Sequence, residues 1–436
     1  MPVSPPEIRR PAPAAPLAAP PRTVPRTATA GGPEHTAAGG VPGRARCVRR
    51  ALRLRRDDAE VLCLYLATRA GLWIMAYCSR WLFPADGEAH EAAGVLTPFE
   101  HWDWGHFLHI AQDGYFPDPG PGSGDSPGAG GGTGGDNREA FFPGFPLFLR
   151  AVHLVVPHWT AAGLLISLVA GAVAVLSLAR IARHHLPDTA GARRAVLFLL
   201  VSPCGIFLAV GYTEALFLAL ALPAWLAARR HAWALASVLT ALATTVRVSG
   251  LFLAAAIALH FLLAARADRS HWRRLPWTAL PAVPPALYTL YLHAHTGDWM
   301  AWKHAQERGW YRDFHAPWTA WSHTWDSAFD HGQTTPYAFM FQAELVAMVV
   351  GLALLGLLAH RRRWPEALYI ALSLWALGTS YWYTSIPRAT LLWWPLWIGL
   401  AHWAGRRPRF ASVYLTLTVP LAAVFAMAFM TGRWAG

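Results

Sequence analysis

Lysine is almost missing from this chain of 436 residues: Lys303 is the only one, and arginine supplies the rest of the 37 basic side chains. Charge of any kind is scarce, at 14% of residues against about 25% in an ordinary soluble domain, while 54% are hydrophobic. A water-soluble globule is thereby excluded. Cysteine is short as well. Cys47, Cys63, Cys78 and Cys204 cannot staple so long a chain, which removes the disulfide scaffolds. No glycine-rich phosphate loop or other nucleotide motif is present, nor an HExxH or cysteine-bearing ligand set. No cofactor is indicated, and a divalent metal is left open without being indicated. What the chain has in excess is aromatic: 13% of residues, 23 of them Trp, a supply suited to lining two membrane interfaces.

The net charge of +12 is segregated rather than spread, so a nucleic-acid surface is not its reading. Eleven arginines and only Glu7, Glu34, Asp57 and Asp58 fall in residues 1–58, among many Pro and Ala. That segment reads as a disordered, basic, cytoplasmic tail, because it has no hydrophobic periodicity with which to offset the entropy of ordering. The first apolar run lies too far in and is too long for a cleaved signal, and is expected to act as an uncleaved anchor.

A helix crossing about 30 Å of hydrocarbon needs roughly 20 apolar residues, fewer when shielded in a bundle. About eleven spans are expected within a membrane domain covering 59–431: near 59–83, 160–182, 195–211, 213–229, 232–247, 250–266, 275–294, 337–359, 366–382, 390–404 and 411–431. The fold class is therefore all-α and polytopic. Residues 141–157 are apolar but short and broken by three prolines, and read as a re-entrant or interfacial element. With that choice, Arg180–Arg194, Arg229–Arg230, Arg266–Arg274, Arg361–Arg363 and Arg406–Arg409 all fall on one side, the cytoplasmic one with the N-terminus. The other side receives loop 84–140, with ten acids against Arg138 alone, and the Trp-rich loop 296–336. Within the first, Pro117–Gly135 is a low-complexity glycine-rich insertion.

The segment His101–Tyr115 carries the most chemistry. As a helix it places Trp104, Phe107, Leu108, Ala111 and Tyr115 on one apolar face, with Asp103, His106, His109 and Asp113 toward the other and Gly114 as its stop. Asp103, flanked by Trp102 and Trp104, is either a general base or a helix cap. His101, His106, His109 and Asp113 could be offered to a metal, although ordinary interfacial histidines account for them. Three more charges stand out near the same surface: Glu214 in GYTEAL, Arg247 in TTVRVSG and Arg388 in TSIPRATLL. Glu214 is either an ion-pair partner or a catalytic group. Two arginines beside one acid would leave charge to spare for a phosphate.

These segments resemble, in order from Trp102 to about Leu400, the PIG-V-like family of mannosyltransferases with its bacterial relatives. The matching residues are the Trp102–Asp103 pair, HIAQDGY ending at Tyr115, Phe141–Pro146, SPCGIFLAVGYTEALF (Ser202–Phe217), Arg247–Gly250 and Pro387–Arg388. Ser249 and Ala389 depart from the family pattern, where Asn and Tyr are usual, and the glycine-rich insertion is also unusual. The resemblance implies a GT-C-like membrane glycosyltransferase of the cell membrane, with an extracytoplasmic site, a polyprenyl-phosphate sugar donor and a lipid or glycan acceptor. On that reading Asp103 is the base of an inverting transfer and Arg247 and Arg388 hold the donor phosphate. Glu214, Tyr212, His106 and Trp102 orient the substrates, and Trp299 and Trp302 are available to stack on the sugar. A polytopic transporter or lipid flippase, and a non-catalytic membrane scaffold, are the competing readings; no internal repeat favours the first. The acceptor and any protein partner are not given by the sequence.

Overall fold

The computed structural model describes residues 56–82, 94–117 and 137–436, all within one unit running from Leu54 to Gly436. The basic tail up to residue 55 and the glycine-rich insertion beyond Pro117 lie outside the described residues. All regular structure among the described residues is helical. That follows from the apolar runs, since hydrocarbon offers no water and each backbone N–H and C=O must be bonded within its own segment.

In chain order the α-helices begin with α1 (Arg56–Leu82), α2 (Asp103–Asp113), α3 (Gly144–His153), α4 (Trp159–Ala182), α5 (Thr189–Leu200) and α6 (Thr213–Arg229). Then come α7 (Trp233–Val246), α8 (Ser249–Ala267), α9 (Val283–Thr296), α10 (Ala301–Trp310) and α11 (Pro317–Phe329). The last are α12 (Thr335–His360), α13 (Trp364–Gly378), α14 (Ile386–Ala389), α15 (Trp394–Arg406) and α16 (Pro408–Met430). Five of them, α1, α4, α8, α12 and α16, are long and apolar enough to cross a membrane. Four further expected spans are the shorter helices α6, α7, α13 and α15, of which α6, at 17 residues, extends about 25 Å. Most of α6 is buried, Trp225 and Phe217 completely, so it is shielded inside the bundle.

Two expected spans are broken. The run 195–211 stops as α5 at Leu200, ahead of Pro203, and resumes as a 3-10 turn at Gly205–Leu208. Gly205 packs so close to Leu200 that a Cβ would lie 2.5 Å from its carbonyl oxygen. The run 275–294 opens with 3-10 structure over Arg269–Ala282, which contains Pro276 and Pro281, and becomes α-helical only at Val283. The stretch 141–157 holds the ten-residue α3. The first helix begins at Arg56, inside the expected tail, because Asp57 and Asp58 suit a helix N-terminus and Asp58 takes Arg183 at 2.8 Å and Arg180 at 3.5 Å.

Those ion pairs mark one end of the bundle. Arg180 is in the last turn of α4 and Arg183 just beyond it, whereas Thr160, in its first turn, hydrogen-bonds Glu100 beside the start of α2. Likewise α6 carries Glu214 in its first turn and Arg229 in its last. Arg180, Arg183 and Arg229 therefore lie at one end, and the segments around Asp103 at the other. At that second end α2 buries Trp104, Phe107, Ile110 and Ala111, with Ile110 in the role expected of Leu108, and Gly114 at φ +80° stops it ahead of Tyr115. The Trp104 ring is clamped between two glycines: a Cβ on Gly163 of α4 would lie 2.6 Å from it, and one on Gly211 2.5 Å.

Candidate functional site

Asp103 is the first residue of α2, where the helix dipole favours a carboxylate. It is not the cap of that helix; its Oδ2 instead accepts from Arg388 Nη1 at 2.7 Å. Arg388 comes from the single-turn α14, and its Nε donates to Glu214 Oε1 at 2.5 Å. Arg247 occupies the short link between α7 and α8 and reaches the same oxygen with Nη1 at 2.5 Å, while also donating to Thr213 Oγ1 at 2.6 Å. The link is tight because Gly250 lies against Thr244, where a Cβ would meet the backbone nitrogen at 2.6 Å. Four segments distant in sequence thus meet in one charged chain: Asp103, Arg388, Glu214, Arg247.

The members differ in access, and access divides their roles. Glu214 is fully buried and its Oε2 has no partner among the described residues, so it can reach nothing outside the protein and serves as counter-ion to both arginines. Removing one partner of such a pair costs about 3–5 kcal/mol, because the other charge is left buried. Asp103 is partly exposed, and its Oδ1 has no hydrogen-bond partner among the described residues. The charge that the sequence left spare on the two arginines is therefore taken up in part by Asp103.

Arg388 is held from three sides. Its guanidinium lies over the rings of Phe207, at 4.6 Å, and Tyr212, at 4.8 Å. Tyr212 donates from its hydroxyl to the carbonyl of His101 at 2.7 Å, which ties the segment before α6 to the segment before α2. The third support is Glu344, a fully buried acid in the middle of α12. It accepts the backbone N–H groups of Ser385, at 2.6 Å, and Ile386, at 2.8 Å, and so anchors the start of α14. Ser385 itself has φ +66°, a strained conformation that this anchoring sustains.

Arg312 completes the surroundings. It lies between α10 and α11, and its side chain makes no hydrogen bond or ion pair among the described residues, with Nε buried and without an acceptor. Burial lowers its pKa to about 10, with Arg247 adding to the fall and Asp103 and Glu344 opposing it, so it remains cationic at neutral pH. Neither Glu344 nor Arg312 was singled out from the sequence. Glu344 had a signal, as a lone acid inside a 26-residue apolar helix. Arg312 had none, since only the fold brings it to these charges.

The remaining expected site residues lie around this cluster at varying remove. Trp102, at φ +56°, is half exposed and donates from Nε1 to the carbonyl of Arg433 at 3.1 Å. His106 stacks on Phe141 and lies 5.8 Å from Trp310, the last residue of α10. Trp302 donates to the carbonyl of Ala140 at 3.2 Å and packs with Phe142, Tyr288 and Leu292 in a small separate apolar cluster. Trp299 stacks on His293 and is mostly exposed. Trp310, rather than Trp299 or Trp302, is thus the tryptophan of that loop that meets α2. Among the described residues no group of three or more His, Cys, Asp or Glu side chains could hold a metal ion.

Fold and site together define a multi-pass helical membrane protein with an acid–arginine chain at one end of its bundle. No family model matches the chain. Among curated proteins it is similar to GPI alpha-1,6-mannosyltransferase 2 of Mus musculus, 34% identical over 204 residues, which is 43% of this chain and 36% of that protein. It is also similar to the proteins of the same name from Homo sapiens, 34% identical over 170 residues, and Cricetulus griseus, 36% identical over 172. Each of these two alignments covers 36% of this chain and 30% of the relative. The chain therefore spans about a third of the length of the curated relatives it matches.

Proposed function

We propose that this protein is a membrane mannosyltransferase of the PIG-V-like kind, which takes a sugar from a polyprenyl-phosphate donor and passes it to a hydroxyl of a lipid or glycan acceptor. The reaction takes place at the extracytoplasmic end of the bundle, opposite the arginine-rich connections, in the cell membrane. The observation that carries this reading is a partly exposed carboxylate, Asp103, whose Oδ1 has no hydrogen-bond partner among the described residues, in the electrostatic reach of Arg312, a cation with no ion-pair partner among them. The similarity to proteins named as mannosyltransferases supports the choice of sugar.

Asp103 takes the proton of the acceptor hydroxyl as its oxygen attacks the anomeric carbon from the face opposite the phosphate. The bond from that carbon to the phosphate oxygen breaks, and the sugar inverts. The charge that develops on the departing lipid phosphate is met by Arg312, with Arg388 and Arg247 behind it. Arg388 keeps Asp103 in place, and buried Glu214 keeps both arginines in place. Grooves between the helices accommodate the polyprenyl chain.

The test is transfer of labelled mannose from polyprenyl-phosphate mannose in membranes that carry wild-type protein or Asp103→Asn at equal abundance. General-base catalysis contributes about 100-fold or more, so the variant is expected to retain at most about 1% of the rate. Equal transfer by both proteins removes the base role. No transfer by the wild type, with endogenous acceptors present, removes the proposed sugar donor.

A further inference from the structure

We infer a second anion site away from the charged chain: a groove beside α1 that holds one anionic phospholipid, its phosphate on Arg69 and an acyl chain along the groove wall. This inference stands independently of the proposed transfer. Arg69 lies near the middle of α1 and is only 5% exposed. Its Nε and Nη1 are buried without a hydrogen-bond partner among the described residues, and its Nη2 has only a marginal 3.5 Å approach to Thr68 Oγ1. No carboxylate pairs with it among the described residues. Its guanidinium carbon lies 5.0 Å from the centre of the Tyr65 ring. Tyr65 in turn donates its hydroxyl to the carbonyls of Ser167, at 3.2 Å, and Leu168, at 3.0 Å, so those acceptors of α4 are already taken.

An arginine inside a membrane span is costly, and one left without an anion or acceptor is rarer still. The surroundings show what can supply the anion. Arg69 lines a cavity of about 240 Å³, in which it is the only charged side chain among the described residues; the walls include Leu72, Trp73, Phe99, Leu165 and Leu168. Trp73, Leu165 and Leu168 are exposed on the flank of the bundle, so the groove opens to hydrocarbon and not to water. Ordered water needs two to four polar partners, and these walls do not provide them. The depth also fits. Leu165 is six residues, about 9 Å, from the start of α4, against roughly 22 Å to Arg180, which places the groove toward the end of the bundle that carries Asp103. A phosphate drawn into this groove meets Arg69, and a guanidinium is the side chain best matched to it.

The experiment uses the full chain, purified and placed in nanodiscs, with phosphatidylglycerol or diacylglycerol of the same acyl chains as probes. Native mass spectrometry then counts the lipid retained on release. Wild type is expected to keep one phosphatidylglycerol and no diacylglycerol, and Arg69→Gln to lower retention about tenfold or more. Leu165→Trp, which fills the groove from its lipid-facing side with Arg69 intact, is expected to lower it as well, and carries the test if Arg69→Gln does not fold. Equal retention by wild type and either folded variant overturns the site, as does equal retention of diacylglycerol. Displacement of phosphatidylglycerol by a trace of polyprenyl phosphate, or retention of inorganic phosphate alone, overturns the membrane phospholipid as its occupant.

Discussion

Replacement of Arg388 by lysine isolates the geometric part of its role, because the charge is kept. The guanidinium serves two acids through two different nitrogens, Nε to Glu214 at 2.5 Å and Nη1 to Asp103 at 2.7 Å, and it stacks on Phe207 and Tyr212. A lysine ammonium is a single point and cannot span both. It follows the fully buried Glu214, whose desolvation is complete, and releases the partly exposed Asp103. One hydrogen bond between charged groups is then lost, worth about 1.5–3 kcal/mol. If about 2 kcal/mol of that had held Asp103 against the acceptor, the rate falls roughly 30-fold at 1.36 kcal/mol per decade. Labelled mannose transfer reads the rate, and the melting temperature in detergent reads the fold. A lysine variant within twofold of wild type, equally stable, would refute the view that Arg388 acts by bridging two carboxylates.

Further outcomes follow from the same geometry. Glu344→Gln offers one acceptor and one donor where two backbone N–H groups arrive, so it loses about 1.5–3 kcal/mol; a thermal melt unchanged from wild type contradicts the anchoring of α14. Arg312→Gln removes a cation with no hydrogen-bond or ion-pair partner among the described residues, so the melting temperature is expected to hold while kcat/KM for the lipid-phosphate donor drops about tenfold or more. A drop in acceptor saturation alone would assign Arg312 elsewhere. Gly211→Ala drives a methyl group to 2.5 Å from the Trp104 ring and is expected to destabilise by about 1–3 kcal/mol, visible as a lower melting temperature.

How far the sequence could be read depends on which physical signal was local. Helix α2, its apolar face and its glycine stop follow from spacing within fifteen residues; Trp104, Phe107 and Ala111 appear on the buried face as expected, while Ile110 takes the place of Leu108 and Tyr115 falls beyond the stop, in the separate cluster with Tyr288. The five long apolar helices are equally local, since each is a run of hydrophobic residues. Hydropathy alone cannot see that Pro203 ends α5 or that Pro276 and Pro281 impose 3-10 structure, because a broken run is as apolar as an intact one. Asp103, Glu214, Arg247 and Arg388 were visible as charges in poor company, but their arrangement was not. That Glu214 serves two arginines with one oxygen, and that Asp103 competes for Arg388, are facts of long-range packing. Trp299 and Trp302 were chosen for composition, which does not distinguish them from Trp310.

The tryptophan pinned between Gly163 and Gly211 sits next to Asp103 in the chain and ties it to α4, a helix long and apolar enough to cross a membrane. A shift of α2 by one turn, about 5.4 Å, would have to drag that ring through two backbones. The carboxylate consequently stands at a fixed position along α4, set by the frame and not by the loops. On the proposed chemistry this makes the protein a ruler: acceptors are sorted by how far their hydroxyl projects from the membrane plane before any of their other features is read.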